Sequence, residues 1–265
     1  MRWALGVEYN GGPFCGWQSQ IGVPTVQDAV ESALARVACE PIRVIAAGRT
    51  DTGVHAVGQV IHFETKAERR AEAFVRGTNT HLPPDVAILW AQPVPYDFHA
   101  RFSACGRRYR YVILNRRGRP GLWAGRVSFE YRPLDVDLMR EAASALLGCH
   151  DFTSFRASQC QAKSPVRTLR LFDIQRTGPW VVMVVAADAF LHHMVRNIAG
   201  VLMTIGAHER PVSWVQHVLL ARDRGAAGLT APPQGLYLEA VDYPEHFHIP
   251  QTVTVGTPWD AGIAF

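Results

Sequence analysis

"IRVIAAGRTDTGVHAVGQVIHFET" occupies residues 42–65 and sets two apolar runs on either side of a polar connection. "IRVIA" (42–46) reads as a buried strand and "GQVIHFET" (58–65) as a second, because short apolar runs bounded by glycine and polar residues are strand signals. The connection "AAGRTDTGVHA" (46–56) carries Arg49, Asp51, His55, two threonines and two glycines. Gly48 and Gly53 allow a sharp turn and a close approach of backbone to a ligand. Taken alone, Asp51 between those glycines reads as a turn cap, since a short carboxylate accepts from nearby backbone N–H groups. It also suits a metal ligand, a general base or a nucleophile, and the spacing does not choose among them.

Outward from this loop the pattern alternates. "RWALGVEY" (2–9) puts Trp3, Leu5, Val7 and Tyr9 on one face, predicting a strand with one dry side. Thr25 can cap a helix with the apolar stripe Val26, Val30, Ala33 and Val37. A second helix is expected over 72–78, and "DVAILWAQPV" (85–94) as a strand.

The second half repeats this order. "RRYRYVILN" (107–115) is a strand, and Asp135 caps "VDLMREAASALL" (136–147) with Gly148 just past its end. "TLRLFDIQR" (168–176) and "WVVMVVAADAF" (180–190) form a hairpin turning at "TGP". Helices follow over 191–206 and 212–221, and "GLYLEAVDY" (235–243) closes as a strand. The expected fold is α+β: two tandem ferredoxin-like (βαββαβ) halves with sheets joined around a central catalytic cleft. The expected division is 1–100 for the half carrying the Asp51 loop, 101–245 for the half completing the cleft, and 246–265 for a tail.

Composition excludes several classes. Hydrophobic residues make up 48% and charged residues 19% of 265, a globular balance rather than a disordered one. No run reaches the length of a membrane span, and the N-terminus lacks the apolar block of a signal peptide, so a cytoplasmic protein is expected. The five cysteines are scattered without a C-x-x-C pair, which favours neither a disulfide framework nor a zinc site. His192 and His193 are adjacent, and helical neighbours point about 100° apart, so no shared metal is expected.

Net charge is only +4, but Lys66 and Lys163 are the sole lysines, so nearly all 27 basic residues are arginine. Their total is explained as well by compositional bias as by function. Placement says more: "RRYRYVILNRRGR" (107–119) interleaves Arg107, Arg108 and Arg110 with Tyr109 and Tyr111, a pattern suited to nucleic acid. An exposed hairpin would also accept it. Tyr109 shares a strand face with Tyr111 and Ile113, where a core aromatic is the commoner case. Arg196 falls nearly opposite the apolar stripe of its helix, where a solvated arginine is ordinary.

Six segments in order nevertheless resemble one family. "AAGRTDTGVHAVGQV", "GWQSQ" (16–20), "DFHARFSACGRRYRYVI" (97–113), "DFTSFRA" (151–157), "FLHHMVRNI" (190–198) and "GLYLEAVDYP" (235–244) are similar to the TruA family of tRNA pseudouridine synthases. The resemblance covers residues 2 to 250. It implies the pseudouridine synthase fold and isomerisation of uridine to pseudouridine at positions 38, 39 and 40 of the tRNA anticodon arm, by a cytoplasmic homodimer. It implies that Asp51 is catalytic, that Tyr109 stacks on the target base and assists proton transfer, and that Arg196 pairs with the aspartate. Leu236 would pack beneath the site, and Arg49 would fill the gap left by the flipped base. Arg107, Arg108 and Arg110 complete the expected RNA-binding set. Thr52 departs from the usual alanine, and His55 has no assigned role.

These residue types suit the chemistry. The target base must leave the helical stack, at a cost of a few kcal/mol; an aromatic face and an arginine replace the lost stacking. A paired arginine keeps a buried aspartate charged. Atoms are only rearranged, so no cofactor is expected. Two alternatives stand beside this reading. A non-catalytic RNA-binding or RNA-chaperone protein would explain the arginines but not the joint presence of Asp51, Tyr109 and Arg196. An aspartate-dependent glycosidase would ordinarily need a second carboxylate close by.

Overall fold

The computed structural model describes residues 1–250. Of the expected tail over 246–265, residues 251–265 lie outside the described residues, whereas Phe247 is buried in the core of the first unit, so that core extends past the expected boundary at 245. In chain order the elements are β1 (Arg2–Tyr9), α1 (Val26–Ala38), β2 (Ile45–Ala46), β3 (His55–Glu64), a π-turn (Ala73–Gly77) running into α2 (Thr78–His81), and β4 (Val86–Val94). There follow β5 (Gly106–Asn115), β6 (Ser128–Glu130), α3 (Val136–Ser144), β7 (Gly148–Asp151), β8 (Val166–Thr177) and β9 (Trp180–Ala187). The last are α4 (Met194–Gly206), α5 (Trp214–Ala221) and β10 (Leu236–Asp242). The fold is α+β, with mixed β-sheet and flanking helices. It forms two compact units, Met1–Gly106 with the segment beginning at Tyr237, and Arg107–Leu236. The sequence division places the closing strand in the second half; residues from Tyr237 onward in that strand instead pack with the first unit.

In the first unit the strands run β4–β1–β3–β10. β1 is antiparallel to both neighbours, whereas β3 and β10 are parallel, pairing Tyr237 with His55 and Leu238 with Ala56. Helix α1 starts as its sequence dictates, with Thr25 accepting from the Asp28 amide. The single dry side expected of β1 is not what forms. Ala4 is as buried as Leu5 and Val7, because a second apolar cluster of Ala47, Val60, Val94, Phe98, Ala100 and Phe247 covers its other face. Gly6 lies under the Trp90 indole, where any Cβ would overlap the ring.

The strand expected over 42–46 shortens to Ile45–Ala46. The preceding residues are held by a side chain instead of a ladder: Glu31 accepts from the Val44 amide at 3.0 Å and from Arg43 at 2.8 Å. The second helix of this half is a π-turn followed by one short helical turn, its Phe74 packed on Trp3 and Phe63.

The second unit's strands run β5–β9–β8–β7, with β6 parallel to the far end of β5. β8 and β9 form the expected hairpin, Thr177 facing Trp180 across Gly178 at φ +55. Asp135 caps α3 by accepting from the Asp137 and Leu138 amides. Helix α4 buries Met194, Val195, Ile198, Ala199, Val201, Leu202 and Ile205 and packs against α3 and α5. No helix among the described residues is long and apolar enough to cross a membrane.

Candidate active site

In the first unit the connection between β2 and β3 is built so that its backbone is fixed and its charged side chains are accessible. Thr50, Gly53, Val54 and His55 are buried, Asp51 is half-buried, and Arg49 and Thr52 are exposed. The turn is closed by main chain, the Val54 amide donating to the Asp51 carbonyl at 3.1 Å with Gly53 at φ +77. The main chain thus closes the turn. Gly53 is required here, since a side chain at that φ is strained.

The flanks are tied down on both sides. The Thr50 carbonyl accepts from the Trp17 amide at 3.0 Å, and a Cβ on Gly16 would come within 2.8 Å of that oxygen. At the other end the buried His55 accepts from the Gly11 amide through Nδ1 at 3.0 Å and stacks on Tyr237 at 4.7 Å. His55, which the sequence leaves without a role, is thus part of the mount. Its accepting Nδ1 puts the ring proton on Nε2 when the ring is neutral.

In the second unit Tyr109 lies in the middle of β5, opposite Val185 of β9 and 9% exposed. The edge of one ring meets the face of the other where it packs on Phe190, with centroids 5.0 Å apart and planes at 85°. Period-two alternation puts Arg107 on the Tyr109 face and Arg108 and Arg110 on the other; all three are half-buried. Arg107 donates to the Asp188 carbonyl at 3.1 Å. Beneath the same face Tyr111 is fully buried and donates to the Pro232 carbonyl at 2.8 Å. Burial pushes its hydroxyl well above the ordinary value of 10.

Arg196 sits in the first turn of α4, half-buried, as the sequence stripe predicts for a residue off the apolar face. Its Nε donates to the Ala231 carbonyl at 2.9 Å, and the Ala231 amide returns a bond to the Arg196 carbonyl at 3.1 Å. A cation in a first turn opposes the helix dipole, which typically costs 0.3–1 kcal/mol. Helix stability gives no reason for arginine at this position. Leu236 is 6% exposed at the start of β10.

His192 and His193 are not helical neighbours. They precede α4, where His193 takes φ +61, and their rings lie 4.1 Å apart. The divergence expected of them on a helix therefore does not apply. Sequence reasoning missed Asn197, a fully buried amide in α4. It donates to the Phe155 carbonyl at 2.8 Å and accepts from Thr230 at 2.7 Å and Arg224 at 3.1 Å. A polar residue inside an apolar helical stripe is the one signal that points to it.

Comparison with known proteins matches this pattern. A family model described as tRNA pseudouridine synthase matches residues 6–103 and 142–244. The chain is 56% identical over 259 residues to tRNA pseudouridine synthase A of Nitrosococcus oceani, covering 98% of this chain and 100% of that one. It is 57% identical over 251 residues to tRNA pseudouridine synthase A of Pseudomonas aeruginosa, covering 94% and 88%. For the protein of that name from Bordetella petrii the values are 55% over 253 residues, 95% and 94%.

Proposed function

The chain belongs to the TruA family of tRNA pseudouridine synthases and is an enzyme of that activity, and we propose that Asp51 is its nucleophile. The observation that carries this reading is the mount of Asp51: a half-buried carboxylate on a turn closed by main chain and anchored by the buried Thr50, Gly53, Val54 and His55. A nucleophile needs a fixed origin, and this loop supplies one.

In the reaction the bond from uracil N1 to ribose C1′ breaks and a bond from uracil C5 to C1′ forms. The proton on C5 leaves and N1 gains one, so the product is an isomer of the substrate and no electrons are exchanged. Asp51 attacks the ribose C1′ or the base to open this sequence. Arg196 supplies the cation that pairs with the carboxylate, a role that accounts for arginine where the helix dipole disfavours one. Tyr109 stacks on the extruded base and assists the proton transfer, Leu236 packs beneath the site, and Arg49 fills the gap in the RNA stack. Arg107, Arg108 and Arg110 serve the phosphate backbone.

The same reading takes uridines 38, 39 and 40 of the anticodon arm as substrates, a cytoplasmic homodimer as the working state, and ferredoxin-like halves as the finer description of the fold. It needs no cofactor, since atoms are only rearranged.

The test is tritium release from tRNA carrying 5-tritiated uridine. Asp51→Asn should bind tRNA and lose turnover by about 1,000-fold or more. Normal turnover in that variant would overturn the reading.

A further inference from the structure

The side chain that holds the Asp51 loop to the sheet is Gln59. It lies on β3 with 0% exposure. The last main-chain bond between the outgoing chain and β3 is from the Ala47 amide to the Val60 carbonyl, at 2.8 Å. One residue later a side chain takes over. Nε2 of Gln59 donates to the Gly48 carbonyl at 2.6 Å, and its Oε1 accepts from the Gly48 amide at 3.3 Å. The primary amide thus pairs with both backbone groups of one residue, as a neighbouring strand would, and extends the ladder after the strand has ended.

The hold continues toward Asp51. Nε2 of Gln59 also donates to Tyr9 Oη at 3.4 Å, and Tyr9 Oη shares a 2.8 Å bond with Thr50 Oγ1. Tyr9 is 4% exposed and Thr50 7%, so the chain of bonds runs in the interior, where each unmade bond is costly. Gly48 and Thr50 are the residues on either side of Arg49, and Thr50 immediately precedes Asp51. A primary amide offers a donor and an acceptor side by side at this length without any change of protonation. A carboxylate would set a lone pair against the Gly48 carbonyl, and an apolar chain would offer neither group.

We propose that Gln59 is a positioning residue for the isomerisation: by pairing with Gly48, and with Thr50 through Tyr9, it fixes the backbone from which Asp51 attacks. The proposal rests on the reading of Asp51 as nucleophile. It concerns turnover more than RNA affinity, because Gln59 is fully enclosed and reaches RNA only through Arg49 of the loop it holds.

The experiment compares full-length Gln59→Glu, Gln59→Met and Tyr9→Phe with the unsubstituted enzyme and with Asp51→Asn. It measures single-turnover tritium release, tRNA Kd by filter binding, and Tm, with rates taken well below each Tm. In the folded Gln59 variants the rate should fall by about 100-fold, the loss expected of an ångström-scale displacement. For Tyr9→Phe, which removes one link and no bulk, the fall should be about tenfold, with any change in tRNA Kd much smaller than the change in rate throughout. Rates within twofold of the unsubstituted enzyme in the folded variants would overturn the proposal, as would a loss of affinity equal to the loss of rate. Should both Gln59 variants fail to fold, Tyr9→Phe decides by the same criteria. Normal turnover in Asp51→Asn would instead sink the nucleophile assignment on which the proposal stands.

Discussion

The amide of Gly11 donates to Nδ1 of His55 at 3.0 Å, and on its other side Gly11 presses so closely on the Val54 carbonyl that a Cβ would overlap it. The loop after β1 and the loop carrying Asp51 are therefore in backbone-to-backbone contact, with no side chain between them to adjust. Gly11→Ala should shift that contact, destabilising the protein by about 2 kcal/mol. It should also lower turnover through displacement of the Asp51 loop. Thermal unfolding and tritium release check the two effects, and a variant of unchanged Tm and rate would show that the loops separate freely.

Tyr109 separates two roles in one side chain. Its ring is packed against Phe190 at 5.0 Å, so Tyr109→Phe keeps the shape of the platform and removes only the hydroxyl. Binding of tRNA should be retained and turnover should drop by about tenfold or more, the lower range for a lost proton-transfer group. Equal turnover would restrict Tyr109 to stacking.

Arg196→Lys keeps the charge and removes the fork. The Nε bond to the Ala231 carbonyl at 2.9 Å disappears, and the ammonium is no longer oriented by it. Turnover should fall by roughly 10- to 100-fold while Tm changes little. A rate near that of the unsubstituted enzyme would mean that charge alone suffices.

Acid should weaken the first unit through His62. This residue is 3% exposed on β3, and its Nδ1 accepts from the Ala100 amide at 3.1 Å, a bond that protonation would abolish. Burial, followed by the nearby His99 and Arg2, lowers its pKa from 6.5 to about 4, with Glu64 acting in the opposite sense. The unfolded chain therefore holds the extra proton in the interval between those values. Stability contributed by neutral His62 is present above 6.5, is lost as pH falls toward 4, and does not fall further below it. Tm measured across this interval should drop more steeply for the unsubstituted protein than for His62→Gln; parallel curves would exclude His62 as the source.

What could be read in the sequence was what local chemistry decides. Thr25 and Asp135 cap their helices because a cap needs only the next three residues. The β8–β9 hairpin turns at Gly178 because alternation and a glycine suffice. Asp51 and Arg49 stood out because a loop rich in charged groups between two apolar runs is a local anomaly. The parts that escaped depend on partners remote in sequence. "IRVIA" is mostly not strand because Glu31, a helix residue, takes the Val44 amide. The short strands β6 and β7 have too few residues for a pattern and exist only through β5 and β8. Gln59 is one polar residue in a strand by sequence, and its partners Gly48 and Tyr9 lie 11 and 50 residues away. The second dry face of β1 was hidden for a similar reason, since Phe98 and Phe247 cover it from far along the chain.

The parallel pairing of β10 with β3 bears on how the protein is made. On a ribosome, residues 1–106 emerge with β3 lacking its partner at His55 and Ala56, and Phe98 lacking Phe247. Synthesis of the intervening chain takes on the order of ten seconds at ordinary elongation rates. Throughout that interval the nascent first unit presents an unpaired strand edge beside the loop that will hold Asp51. Completion of its sheet therefore waits until the whole second unit has been synthesised, and the nascent chain is most exposed to misassembly at the edge of its own candidate active site.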